Sequence, residues 1–433
     1  MVGWPERFEV LQTGVSGCGN CMGRNAGTDP RMVNALAAQS LGSVVANTLW
    51  CHRHEGEPGM NAKDILEQLI GFPSVVGTPN GDIVAWVKGY LESHGATVTV
   101  LPGPEGDRAN LFATIGPKDK PGYILSGHMD VVSASERTWT SEPFRLRAEG
   151  DQLFGRGASD MKGFLAAALA GLPAMAKMPL SRPIHFAFSY DEEAGCRGVR
   201  HMLERIGNLC APPLGAIIGE PSSMVAIRGH KGKAAARIEI HGATGHSSRP
   251  DKGLNAIHAM TAVMNATLKT IDALRSSASD QNFEPPYSTL QIGTISGGRS
   301  VNIIPDLCVL ELEARAVPGV SPTVLLEPIK ATAEAFENDG FRTTWEISST
   351  YPALSLDVDA PLARLMEGLT GASTLAAVSY GTEAGLYQAA GIDAIICGPG
   401  DIARAHRADE FIRLDELIAC EEMILRLAAT LRG

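Results

Sequence analysis

Five short islands of this 433-residue chain are rich in side chains that bind metals or move protons. They are SGHMDVV at 126–132, GRGASDMKG at 155–163, SYDEEAG at 189–195, IGEPS at 218–222 and AHRADEF at 405–411. Together they offer His128, Asp130, Asp160, Glu192, Glu193, Glu220 and His406. Two imidazoles and several carboxylates suit a pair of zinc-like divalent ions that share a bridging carboxylate. The same set leaves one carboxylate over for general-base work, so the pattern points to hydrolysis.

His128 and Asp130 stand at i and i+2, which at a strand end face the same side. A metal-bound imidazole usually gives its second N–H to a carboxylate. His128 therefore reads as a ligand and Asp130 as the partner that orients it. Asp160 has two readings: the N-cap of a following helix, or a carboxylate bridging the ions. A helix N-terminus stabilises the anion in either case. Glu192 and Glu193 are adjacent, so their side chains diverge, and one can bind metal while the other reaches the attacking water. An acidic surface turn is the bland alternative for this pair. Outside the islands, His185 sits between Ile184 and Phe186 and reads as structural. His230 in RGHKG and His246 in GATGHSSRP lie in small-residue turns, where a histidine has room to donate to an oxyanion.

The elements that must position these residues can be read from the apolar pattern. Residues 122–125 form a short apolar run ending just before His128, the mark of a buried strand. Residues 182–189 form another, delivering Asp191, Glu192 and Glu193, and residues 214–218 a third, delivering Glu220. Residues 161–176 are nearly all apolar, so the helix expected there must be buried on most sides. Strand–site–helix alternation indicates an α/β layer with a central, mostly parallel sheet flanked by helices, its site at the carboxyl ends of the strands. Ahead of it, residues 62–70 and 82–94 show helical spacing, and residues 97–101 and 110–115 alternate like strands. After Lys231 the character changes. Strands are expected at 234–241, 289–296, 306–316 and 343–348, and helices at 255–274 and 320–338. This β-α-β-β-α-β order is that of a ferredoxin-like α+β unit. It contains none of the five islands, and His406 lies beyond it, so residues 233–349 read as an insertion between catalytic segments 60–232 and 350–433.

Composition sets the outer bounds. A net charge of −11 and a pI near 5.5 disfavour nucleic acid or an anionic membrane as partner. No apolar run reaches the roughly 18 residues that span a bilayer. Eight scattered cysteines, with no disulfide framework, fit a reducing cytoplasm. Residues 1–59 lack sustained periodicity and are expected to be a poorly ordered extension or an over-extended start, with a clean amphipathic segment opening at Met60. Cys18, Cys21, Cys51, His52 and His54 match no common zinc module.

The islands and their neighbours resemble those of the di-zinc aminoacylase and carboxypeptidase family, which includes acetylornithine deacetylases and succinyl-diaminopimelate desuccinylases. The resemblance runs from about Met60 to the C-terminus; residues 1–59 match nothing in it. It implies an amidohydrolase with two divalent ions, zinc first and cobalt as an alternative. Asp160 resembles the bridging ligand, His128 and Glu220 the ligands of one ion, and Glu193 and His406 those of the other. Glu192 resembles the general base, and Asp130 the carboxylate that supports the histidine. In relatives the peptide after the bridging aspartate is cis, which here is Asp160–Met161.

The inserted unit resembles the family's lid and dimerisation domain, so a homodimer is implied. GGRSVNIIP at 297–305 resembles the segment that holds the substrate carboxylate, with Arg299 and Asn302 as contacts. GHSS at 245–248 resembles the lid's histidine turn, which in dimeric relatives reaches the other subunit's active site and would make His246 an oxyanion donor. SYGTEAGLYQAAGI at 379–392 resembles the matching segment of acetylornithine deacetylases, where desuccinylases carry a Gly-Thr-Ser-Asp type. Glu383 is then expected to pair with the ammonium of N2-acetyl-L-ornithine, whose products are L-ornithine and acetate. Its plainer reading is a helix N-terminal glutamate favoured by the dipole. Other N-acyl amino acid deacylases, a desuccinylase or a small-peptide carboxypeptidase are the alternatives within the class. A non-catalytic metal- or ligand-binding relative is the alternative outside it, and an intact Glu192 weighs against that, because binding alone does not require it.

Overall fold

Six strands form the central sheet, in the order Thr97–Pro102, Ala109–Ile115, Ile184–Ser189, Tyr123–His128, Gly215–Pro221, Ala394–Gly398. The last four are mutually parallel, and Ala109–Ile115 runs against its two neighbours. A computed structural model gives this architecture and describes residues 60–433. The expectations for residues 1–59, including the weak zinc reading of Cys18 and Cys21, lie outside the described residues.

The parallel strands are buried along nearly their whole length, which is why they read as continuous apolar runs rather than as alternation. Successive side chains still go to opposite faces. Leu125, Ile217 and Ile395 pack with helices Ala62–Ile70, Gly163–Ala176 and Leu414–Thr430 on one side. Ile124, Ile218 and Ile396 pack with Arg197–Leu203 and Ala384–Ala389 on the other. Gly163–Ala176 fits the crowded first layer because its sequence is mostly Ala, Leu and Gly and ten of its residues are buried.

The strand expected at 122–125 continues to His128, so the first candidate ligand is the last residue of the strand itself. The helix expected from 161 begins at Gly163, with Lys162 at the N-cap position. Asp160 and Met161 precede it in a non-helical turn, which removes the N-cap reading of Asp160. The Asp160–Met161 peptide is cis, as the resemblance implies.

Between Gly229–His230 and Leu354–Ser355 the chain builds a second sheet, ordered Thr289–Gly297, Leu307–Ala316, Gly232–His241, Arg342–Tyr351 and antiparallel throughout. Ile238, Ile240, Leu310 and Leu312 pack on one face against Met260 and Val263 of helix Ala256–Leu274 and Ile329 and Ala333 of helix Glu327–Ala335. Asn255 starts the first of these by accepting the N–H of Ile257 and His258. The helix expected at 320–338 is broken into a 3-10 turn, Val324–Leu326, the helix Glu327–Ala335 and a second turn, Phe336–Asp339. Pro328 accounts for the first break, because proline lacks the N–H of an interior position and favours the first helical turn. The opposite face of this sheet is open and carries charged residues, among them Lys233, Arg237, Glu239, Glu311, Glu313 and Arg315.

Candidate metal centre

Each donor comes from the carboxyl end of the central sheet or from a turn packed on it. His128 ends its strand and is 1% exposed. In the parallel register it stands beside Ser189, so the acidic turn that follows Ser189 emerges at the same level. Glu220 comes from Gly215–Pro221. Its neighbour must be glycine, because a Cβ on Gly219 would lie 2.0 Å from Cγ of Phe164. His406 lies between Ala394–Gly398 and the final helix, with φ +58°.

Asp160 is the centre of the arrangement. Its Oδ1 lies 3.1 Å from Nε2 of His128, and its Oδ2 lies 3.2 Å from Nε2 of His406. His406 Nε2 is also 2.9 Å from Glu193 Oε1, and His128 Nε2 is 3.9 Å from Glu220 Oε1. One donor atom each of His128, Glu192 and Glu220 falls within 4.8 Å of the others, as do those of His128, Asp160 and Glu193. The structure thus brings together all five sequence-predicted ligands and Glu192. The thiol of Cys196 donates to Glu192 Oε1 at 3.2 Å.

Three buried carboxylates hold the turns that carry the candidate ligands. Asp130 differs from its expected role. His128 Nδ1 is 2.8 Å from the Asp130 backbone oxygen and 3.7 Å from its carboxylate. That carboxylate instead accepts the backbone N–H of Glu192 at 3.1 Å and of Glu193 at 3.2 Å. Asp191 fixes the same turn by accepting from the Gly77 N–H and from Arg108. Glu410 accepts the N–H of Gly157, Ser159 and Asp160 at 3.0, 2.8 and 3.0 Å, and Arg156 Nη1 donates to it at 2.9 Å. Glu410 lies within the fifth island, and sequence reading did not single it out, because only folding brings the Asp160 turn onto it.

The charge balance tests whether the set suits cations. Burial, then the charges of Glu193, Asp130 and Glu383, push the Glu192 carboxyl up to about 8 against the pull of His128. Burial raises Asp130 to about 7 and drives Glu220 well above the carboxylate range. Hydrogen bonds to Asp160 and Glu193 raise His406 to about 10. So many carboxylates cannot all ionise in a dry site without compensating positive charge. Two histidines with several carboxylates are a donor set that divalent ions compensate and complete, so the residues fit a metal pair.

A cavity of about 220 Å³ opens over these donors, lined by Asp160, Glu192, Glu193, Glu220 and His406. Its remaining wall includes Lys233 and Arg315, from the open face of the inserted sheet, with Tyr351 and Tyr380. Lys233 and Arg315 are directly paired across two strands. Like charges in that position repel, and Glu313 bridges them at 3.1 and 2.6 Å. Arg315 also donates to Tyr351 Oη at 3.0 Å. Sequence reading missed both cations, although strict alternation in LELEARA already puts Arg315 opposite the apolar face.

The remaining predicted residues lie elsewhere. His246, Arg299 and Asn302 sit together at the far end of the inserted unit, where Ser247 N–H donates to the Asn302 carbonyl and His246 bridges to Ile303. Arg299 is 76% exposed and pairs with Asp306. None of the three lines the cavity. Glu383 does not reach it either. It is 1% exposed, and its two carboxylate oxygens accept from Ser126 and Ser189. The expected contact with a substrate ammonium is corrected on this point, since a carboxylate buried beneath the sheet end is not presented to a ligand. His185 and His230 are both buried, the first beside Thr114 within the sheet.

Fold and site together define a metal-dependent hydrolase acting on linear amides. The chain belongs to the peptidase family M20/M25/M40, whose profile matches residues 124–430. It is 32% identical over 378 residues to the acetylornithine deacetylase of Proteus mirabilis, covering 84% of this chain and 95% of that one. Its fold is shared with an M20 family metallo-carboxypeptidase from Sulfolobus solfataricus, at a TM-score of 0.68 and 19% identity over 84% of this chain and 98% of that one. A dinuclear metal-binding peptidase of Bacillus subtilis has a TM-score of 0.59 at 17% identity, over 86% and 97%. Among the described residues, no helix is long and apolar enough to cross a membrane.

Proposed function

We propose that the chain hydrolyses N2-acetyl-L-ornithine to L-ornithine and acetate, a step of arginine biosynthesis, in a cytoplasmic setting. The observation that carries the chemistry is Asp160 held between His128 and His406 with Glu192 on the same cavity wall. The curated relative at 32% identity supports the substrate. In this reading Asp160 would be shared by two divalent ions, zinc before cobalt, with His128 and Glu220 holding one and Glu193 and His406 the other. Bound ions would polarise the acyl carbonyl and lower the pKa of the attacking water.

The protein side chains do the rest. Glu192 takes a proton from the water as oxygen attacks the carbonyl carbon, then gives it to the nitrogen as the C–N bond breaks. Arg315 and Lys233 offer the positive charge that receives the substrate's carboxylate, and a planar guanidinium matches that group. In this reading the chain forms a homodimer in which His246 reaches the site of the other subunit.

One observation favours a second reading, deacylation of N-acyl amino acids without a side-chain amine. Among the described residues, the carboxylates lining the cavity all belong to the ligand set and Glu192, so none of these is left over for an ornithine ammonium. Product release from acetylornithine, succinyl-diaminopimelate, acetylmethionine and a dipeptide, with zinc or cobalt added, decides between them. The first reading expects acetylornithine to give the highest kcat/KM; preference for acetylmethionine selects the second. No turnover on any of the four would reject both and leave a binding protein.

A further inference from the structure

We propose that Glu383 is a positioning residue that ties together the ends of the two strands delivering His128 and the Asp191–Glu193 turn. The inference rests on the metal-dependent reading above. Glu383 immediately precedes helix Ala384–Ala389. One of its oxygens accepts from Ser126 Oγ and the other from Ser189 Oγ at 2.8 Å. Ser126 lies two residues before His128, and Ser189 is the register partner of His128 on the neighbouring strand. Tyr387, one helical turn after Glu383, places its hydroxyl 2.8 Å from Ser126 Oγ. With Ser126 donating to Glu383, the Tyr387 hydroxyl donates to Ser126, and all four side chains are buried.

The link stands where the sheet stops holding its own strands. Tyr123–His128 pairs with Gly215–Pro221 only as far as Ser126 opposite Ile218, whereas on the Ile184–Ser189 side it pairs through to His128. Gly127 and His128 are thus laddered on one side only. A carboxylate gripping both strands at Ser126 and Ser189 restricts the motion of His128 relative to the acidic turn. Burying a charge there is costly unless its partners are fixed, and two serine hydroxyls supply them. Such supporting groups orient ligands without touching the ion, and their loss typically costs about 10- to 100-fold in metal affinity or activity.

The test is Glu383→Gln, which keeps the shape and removes the charge. Zinc affinity of the chelated protein and kcat should each fall by about tenfold or more, with KM little changed and the metal-free melting temperature moving by no more than a few degrees. The loss should be shared equally by acetylornithine and acetylnorleucine, which lacks the side-chain amine. A loss of about tenfold or more confined to acetylornithine would make Glu383 the ammonium receptor and overturn the proposal. Unchanged kcat and zinc affinity would overturn it as well. Ser126→Ala, which removes one of the two donors, should show the same shared loss in smaller measure and serves if Glu383→Gln does not fold. Wild-type protein inactive on both substrates rejects the proposed reaction alone, because zinc titration of the variants still reads the positioning role.

Discussion

At the scale of single residues, the centre is defined by how its charges are shared. Glu192 lies on the cavity wall beside the candidate ligands and accepts the Cys196 thiol, and it is the carboxylate that the five-residue ligand set leaves over. Glu192→Ala should therefore lower kcat by roughly 10²- to 10⁴-fold while the protein still binds two equivalents of zinc, measured by metal analysis after gel filtration. An active variant would move the base elsewhere. The raised carboxyls also predict a pH dependence of the chelated protein. A group whose folded pKa exceeds its unfolded value holds more protons when folded, so its stabilising contribution fades as pH rises through the folded pKa. Asp130 at about 7, Glu192 at about 8 and His406 at about 10 all act in this sense. Asp160, whose carboxyl is held low by His128 and His406 against burial, acts only at acid pH. The melting temperature of chelated protein should fall as pH rises from about 5 to about 10, and saturating zinc, which needs deprotonated ligands, should remove that fall. A flat profile in the chelated protein would contradict this charge balance.

At the scale of elements, close packing delivers the candidate ligands. Gly219 precedes Glu220 and lies under Phe164 of helix Gly163–Ala176, with no room for a methyl group. Gly219→Ala should cost about 1–3 kcal/mol through overpacking and weaken zinc binding, because the strand end that carries Glu220 must shift. Gly89, in helix Gly81–Ser93, meets nothing within 4 Å. Gly89→Ala should stabilise the protein by about 0.5–1 kcal/mol and leave zinc affinity alone. Urea unfolding of both variants checks the pair, and equal effects would remove the packing argument.

At the scale of the whole molecule, the inserted unit faces two ways. Its open sheet face sends Lys233 and Arg315 to the cavity of its own chain. Its far end carries His246 and the edge strand Thr289–Gly297, which has a sheet neighbour on one side only and exposes Ile295. Pairing with a second copy would cover that edge and is the route by which His246 would reach a metal centre. Single oxyanion donors contribute on the order of 3 kcal/mol, so His246→Ala should be nearly inactive, as should Glu192→Ala. Mixed and allowed to exchange subunits, the two should regain activity, because one site of the heterodimer has an intact Glu192 and receives His246 from the other chain. No recovery, with exchange verified by mass spectrometry, would rule out action in trans.

The order of apolar runs and donor islands determined the α/β layer and put the candidate donors at its strand ends, because a buried strand ending in a donor leaves a local mark that survives without coordinates. Sequence neighbours also suggested Asp130 as the partner of His128 and Glu383 as a substrate contact. Both assignments needed distances, since a carboxylate's role depends on which donors the fold turns toward it: for Asp130 two backbone N–H groups of another turn, and for Glu383 two serines on different strands. Lys233, Arg315 and Glu410 likewise gained their places only when segments far apart in sequence met. Periodicity says which face a side chain takes, and tertiary packing alone decides what that face meets.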